Sequence, residues 1–187
     1  MIEFVSFLKS FEKLWAETKS LIDKNHTFQD IKNHLQTNQL PISNRKYKSL
    51  MNKYGIYIFY IKPTKVYTYE SLCEDWIQLS YDKYPKVIKK RFNQYPSIDK
   101  ETWYPFYIGK CENLGKRMHE HINHRDKTST YSLKLNGRKN FNSNNLTYSY
   151  WLLPDEAMSC PDEIKQFLLT QLEQQLRQEL KPWIGKQ

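Results

Sequence analysis

Cysteine is scarce in this chain: Cys73, Cys111 and Cys160 are three in 187 residues, far apart and odd in number. With no CxxC pair, neither a zinc ribbon nor a disulfide framework is expected, and the thiols read as reduced in a cytoplasmic protein. Glycine is scarcer than usual, five in all, so each is expected to answer a local backbone need. No apolar run approaches the roughly 20 residues that cross a bilayer. The start, MIEFVSFLKSFEKLW, mixes acids and lysines with its apolar residues, unlike a signal peptide. Acids are in deficit: 20 Asp and Glu face 29 Lys and Arg, a net charge of +9. That balance suits a polyanion, nucleic acid ahead of a membrane surface.

What the chain does have is aromatic residues, with 14 Tyr, 9 Phe and 5 Trp among 39% hydrophobic residues. Its length suits one domain with an appendage. Apolar positions Phe4, Phe7, Leu8, Phe11, Leu14 and Trp15 recur at helical spacing, predicting an amphipathic helix from residue 2 to about 24. Thr27 and Asp30 open a second helix, ended by Pro41. A basic linker with Arg45, Lys46, Lys48 and Lys53 leads into the strand GIYIFYIK. Residues 64 to 103 predict a short helix or two and contain the charge run KVIKKRF. A second strand (PFYIGK), a helix from Leu114 to about His124, an Asn-rich loop (NGRKNFNSNN) and a third strand (LTYSYWLL) follow. The last helix starts near Pro161 and stops before Pro182.

The helix after YIGK carries chemistry. Leu114, Met118 and Ile122 recur every four residues and mark its buried face, with Arg117 and His121 on the adjacent stripe and His124 one turn on. Arginine and histidine side by side can stabilise phosphate charge and move a proton; the same pattern also suits a solvated helix face. His119 and His121 are two apart and cannot share a metal ion, and no HExxH pattern is present. In the last helix, Glu173 borders the stripe Leu168, Leu172, Leu176. An acid there either reaches to water or holds a cation such as Mg²⁺, which is often held by only one or two carboxylates.

Together these pieces resemble the GIY-YIG nuclease family. Gly55, Ile56 and Tyr57 match its first motif, and Tyr107, Ile108 and Gly109 its second. Arg117, eight residues after Gly109, stands where the family carries its arginine, and His121 where members carry His or Tyr. Glu173 stands at the metal-binding glutamate, followed by Lys181 and Pro182. There are two departures. The family joins its motifs by a short connection, whereas 49 residues separate Tyr57 from Tyr107. The tail PWIGKQ also lacks the asparagine that many members carry.

The resemblance implies an α+β fold: a small three-stranded antiparallel sheet flanked by helices. A helical arm and basic linker would occupy 1–53, and the nuclease domain 54–187, with a hairpin insertion at about 64–103. It further implies a DNA endonuclease using one Mg²⁺ (or Mn²⁺) on Glu173. Arg117 would stabilise the phosphate, and Tyr57 would orient the attacking water and, as phenolate, could take its proton, the base being left open among Tyr57, Tyr107 and His121. Tyr107 and His121 would share or relay that proton, and Lys110 or the metal would lower the Tyr57 pKa. Gly109, counted among the nucleic-acid-binding residues, would admit close backbone approach or a bend at the strand end. Phosphate contacts are expected from Arg45, Lys46 and Lys48 and from Lys86, Lys89, Lys90 and Arg91, although generic solvated charge suits those runs as well. The Asn-rich loop either reads base edges or is a disordered connection. Double-stranded DNA is the expected partner, cut by a homodimeric type II restriction enzyme paired with a DNA methyltransferase. The alternatives are a structure-selective repair nuclease, a mobile-element nuclease, or an inactive nucleic-acid-binding module.

Overall fold

A computed structural model describes residues 2–24, 27–77, 83–125 and 128–185. Two helices lead the chain, α1 (Ile2–Lys24) and α2 (Thr27–Thr37), followed by a short edge strand β1 (Leu40–Pro41) and a 3₁₀ turn at Lys46–Leu50. Next come β2 (Gly55–Ile61), α3 (Tyr69–Trp76), β3 (Lys86–Val87) and α4 (Lys89–Phe92). The chain continues through β4 (Tyr104–Cys111), α5 (Leu114–Asn123) and β5 (Leu146–Leu152). A 3₁₀ turn at Asp155–Ser159 precedes α6 (Asp162–Leu180) and β6 (Ile184–Gly185).

The class is α+β. The main sheet is antiparallel with order β1-β5-β2-β4. It holds four strands, not the three expected, because Leu40 and Pro41 pair with Tyr148 and Thr147 at the β5 edge. A two-residue strand ended by proline has no periodicity to reveal it, and proline is tolerated there because it lies on an edge.

β2 is central, and all seven of its residues are buried. It therefore reads as an unbroken apolar run, as a strand covered on both faces should. Alternation divides its side chains between two cores. Tyr57, Phe59 and Ile61 join Tyr107, Leu114 and Met118 on one face; Ile56, Ile58 and Tyr60 join Ile108 and α6 residues Leu169, Leu172 and Leu176 on the other. Helix α5 thus covers one face, and α2 with α6 the other.

The described residues of the 64–103 segment, 64–77 and 83–103, are tied to the C-terminal end. Its α3 opens on a capping box, in which Ser71 N–H donates to Thr68 Oγ1 at 3.1 Å and Thr68 N–H to Ser71 Oγ at 2.9 Å. β3 pairs with β6 through Lys86↔Gly185 and Val87↔Ile184. Trp183, fully buried, packs against Phe92 (ring centroids 5.1 Å apart) and Tyr104 (5.1 Å). Left-handed backbone at Lys181 ends α6 and turns the chain back toward that cluster.

The Asn-rich loop is a packed plug. Phe141 is buried against Trp76 (5.0 Å) and Phe106 (5.6 Å). Asn145 Nδ2 donates to Asn140 O at 2.8 Å, and its Oδ1 accepts from Asn142 N–H at 2.9 Å. Those amide contacts brace the loop from within. Among the described residues, no helix is long and apolar enough to cross a membrane.

Candidate active site

The register of the sheet starts the site. Tyr57 pairs with Gly109 across β2 and β4, so the phenol lies over the glycine. A Cβ on Gly109 would stand 2.3 Å from Tyr57 Oη and 2.5 Å from Cζ. Only glycine leaves room for that ring. The space beside Gly109 is thus taken by the Tyr57 ring.

His121 closes on the same phenol from α5. Its Nε2 is 2.7 Å from Tyr57 Oη, and its ring lies 5.2 Å from Tyr57, 5.2 Å from Tyr107 and 5.5 Å from Phe59. His121 is fully buried; it belongs to the core, not to a stripe beside it. The chain folds back at Ser132–Leu135 to cover it, and Leu133 N–H donates to His121 Nδ1 at 3.0 Å. A neutral imidazole that accepts at Nδ1 carries its proton on Nε2. That proton is donated to Tyr57 Oη. Burial, then the charge of Arg117, holds the His121 pKa well below its ordinary value, so the ring stays neutral.

Arg117 is the second donor, with Nε 3.3 Å from Tyr57 Oη. Its Nη1 pairs with Glu120 at 2.6 Å and its Nη2 donates to Tyr131 O at 2.7 Å. The guanidinium has five N–H groups, so these three bonds orient it with capacity to spare. Burial pushes the Tyr57 pKa well up, Tyr107 adds to this, and Arg117 opposes it. Two donors aimed at one phenol oxygen favour its anionic form, but against burial they need a further positive charge to do so at neutral pH.

Tyr107 stands beside Tyr57, with ring centroids 6.2 Å apart. Burial raises its pKa; Arg117 and Arg177 oppose, and Glu173 adds to the rise. Those charges connect the tyrosine cluster to α6. β4 is an edge strand of the sheet, so residues from both faces can meet around it.

Glu173 is buried, and its Oε1 is 2.8 Å from Arg177. Arg177 also donates from Nη2 to Ile108 O at 3.0 Å, capping the β4 edge between Tyr107 and Gly109. Burial raises the Glu173 pKa, against the opposing charges of Arg177 and Lys110. Lys110 pairs with Ile56, not Tyr57, and donates to Gln166 of α6 at 2.5 Å. It sits on the Glu173 side of the sheet, where it acts on the carboxylate and not on the phenol.

The basic runs fall into two classes. Arg45, Lys46 and Lys48 are exposed on the 3₁₀ turn that packs against α5. Lys86, Lys89 and Lys90 are exposed too, with Lys86 Nζ 3.8 Å over the Tyr84 ring and Lys89 Nζ 5.0 Å over Tyr69. Arg91 differs. It is half-buried, and burial, then the charge of Arg177, lowers its pKa. The inserted segment therefore brings a cation near Arg177.

Sequence reasoning missed Arg177, Tyr131 and the Leu133 N–H. The i, i+4 spacing from Glu173 signalled Arg177; nothing local signals a backbone donor twelve residues beyond His121.

Comparison with known proteins supplies no relative: no family model, curated protein or solved structure matches the chain.

Proposed function

We propose that the chain is a metal-dependent DNA endonuclease with a GIY-YIG fold. The observation that carries this reading is the Tyr57 phenol, buried over Gly109 and receiving hydrogen bonds from His121 Nε2–H and Arg117 Nε–H. An oxygen held this way is suited to become an anion and take a proton. Phosphodiester hydrolysis needs such a base: a water oxygen attacks phosphorus, its proton leaves, and the P–O3′ bond breaks. General-base assistance contributes about 10²–10⁴-fold.

Because Nδ1 of His121 is occupied, His121 acts here as a donor to the phenolate and not as the base. Tyr57 takes the proton directly. Arg117, oriented by Glu120 and Tyr131 O, stabilises charge on a non-bridging phosphate oxygen. Tyr107 shapes the other wall of the site.

The donor set fits Mg²⁺, or Mn²⁺, in one form. Among the described residues no three His, Cys, Asp or Glu side chains gather into a metal cage. One carboxylate plus water and substrate phosphate is, however, an ordinary Mg²⁺ environment. Glu173 would hold the ion, which supplies positive charge to the phosphate and the leaving oxygen.

The net charge of +9 and the exposed lysines and arginines support double-stranded DNA as the substrate. Within that class we favour a type II restriction enzyme, whose gene would neighbour that of a DNA methyltransferase. The test is incubation with plasmid and phage DNA in Mg²⁺ or Mn²⁺, with the ends mapped. Discrete fragments ending in 5′-phosphate and 3′-hydroxyl are expected; intact DNA under all metals and substrates contradicts the reading.

A further inference from the structure

Helix α1 leaves its apolar face open. At 100° per residue, Leu14, Phe7, Phe11, Phe4, Trp15 and Leu8 fall on a stripe roughly 120° wide, the width of a helix face meant for burial. Phe11 and Trp15 touch the rest of the chain through Phe167 of α6, with ring centroids 6.2 and 4.9 Å apart. Phe4, Phe7 and Leu14 are nonetheless 63%, 62% and 60% exposed, and Leu8 and Phe11 about half so. Phe167 and Ile164, one turn apart on α6, are exposed beside them.

We infer that this face binds the same face of a second copy of the chain. Side chains of this size present up to roughly 150–250 Å² each, so the seven half-exposed residues together offer roughly 700 Å². That exceeds the largest apolar patch of a typical monomer, about 300–600 Å². It approaches the roughly 800 Å² per partner of a stable complex. A uniform apolar stripe is complementary to itself, as a twofold interface requires. Charge argues against a lipid surface: residues 2–24 carry four lysines and four acids, whereas a helix lying on anionic lipid has a basic polar face. The excess positive charge of the chain lies elsewhere, free for a polyanion.

The surface argument is independent of the nuclease reading, but its consequence rests on it. Two protomers joined through α1 would bring two Tyr57–Glu173 sites to one duplex, one for each strand.

Light scattering on the full chain, from low to high micromolar concentration, tests the pairing. Twice the 22.7 kDa of one chain is expected for the wild type and for Val5→Glu, which lies off the stripe. The single mass is expected for Phe7→Glu and for Phe11→Glu with Leu14→Lys, all exposed positions whose replacement leaves the core intact. A monomeric wild type, or a dimer that survives these substitutions, overturns the proposal. So does wild type that stays monomeric while pelleting with phosphatidylglycerol vesicles. Plasmid cleavage separates this from the nuclease reading: Phe7→Glu should nick supercoiled plasmid but linearise it at least tenfold more slowly. If neither protein cuts yet the masses differ, the interface stands and the nuclease reading falls.

Discussion

The Tyr57 hydroxyl and His121 Nε2 lie 2.7 Å apart, and the Leu133 N–H on the opposite ring nitrogen sets which of them gives the proton. Histidine is the donor. The consequence is a phenol oxygen that accepts two hydrogen bonds, the second from Arg117, while burial still holds its pKa well above the ordinary value.

Tyr57→Phe removes the acceptor of both bonds. Cleavage should fall by about 10²–10⁴-fold, the worth of a general base. The fold should survive, at a cost of about 1–3 kcal/mol for donors left unpaired in the core. Single-turnover cleavage and thermal melts on the same preparation check both. A wild-type rate would remove Tyr57 from the base role.

Gly109→Ala inserts a methyl where the Tyr57 ring lies. The ring must move off its two donors, so activity should drop at least tenfold while overpacking costs about 1–3 kcal/mol. Unchanged activity would mean the phenol position is not required.

His121 makes stability depend on pH in a stated direction. Its folded pKa is depressed and its unfolded value is near 6.5. Its neutral form is therefore favoured by folding above about 6.5. As pH falls below that, the unfolded chain takes up a proton that the native ring refuses, and stability declines. The slope is up to about 1.4 kcal/mol per pH unit for one such group. His124 is shifted the same way, chiefly by burial, so His121→Gln should flatten the decline between pH 6.5 and 5 without abolishing it. Identical slopes would show that His121 is not held neutral.

These readings divide by what a sequence can carry. β2 and β4 were legible because a strand covered on both faces is an unbroken apolar run, and α6 because its leucines recur at helical spacing with acids in the first turn. Tyr57, Tyr107, Arg117 and His121 were singled out through the resemblance of GIY and YIG and of the helix after them to the family's motifs. Spacing could not say that His121 is fully buried, since its cover comes from Ser132–Leu135, beyond the end of α5. The loop around Asn140 looked polar, yet Phe141 and a few amide bonds make it part of the core. β1, β3 and β6 are two residues each and exist only through distant partners. Such pairings leave no local pattern.

Arg177→Met tests the pair on α6. Removing the guanidinium leaves Glu173 buried, with Lys110 still opposing the rise of its pKa, and should cost at most about 3–5 kcal/mol near neutral pH. Millimolar Mn²⁺ should raise the melting temperature of this variant more than that of the wild type, because the carboxylate no longer has a competing partner. Equal responses would show that Glu173 is not where the ion binds.

The most direct test of the central claim compares wild type with Glu173→Gln on the same plasmid in Mg²⁺, with DNA binding followed in parallel by gel shift. The account predicts discrete fragments from wild type, none from Glu173→Gln, and comparable binding by both. Equal cutting by the two proteins, or binding by wild type with no cutting under any divalent metal, would contradict it.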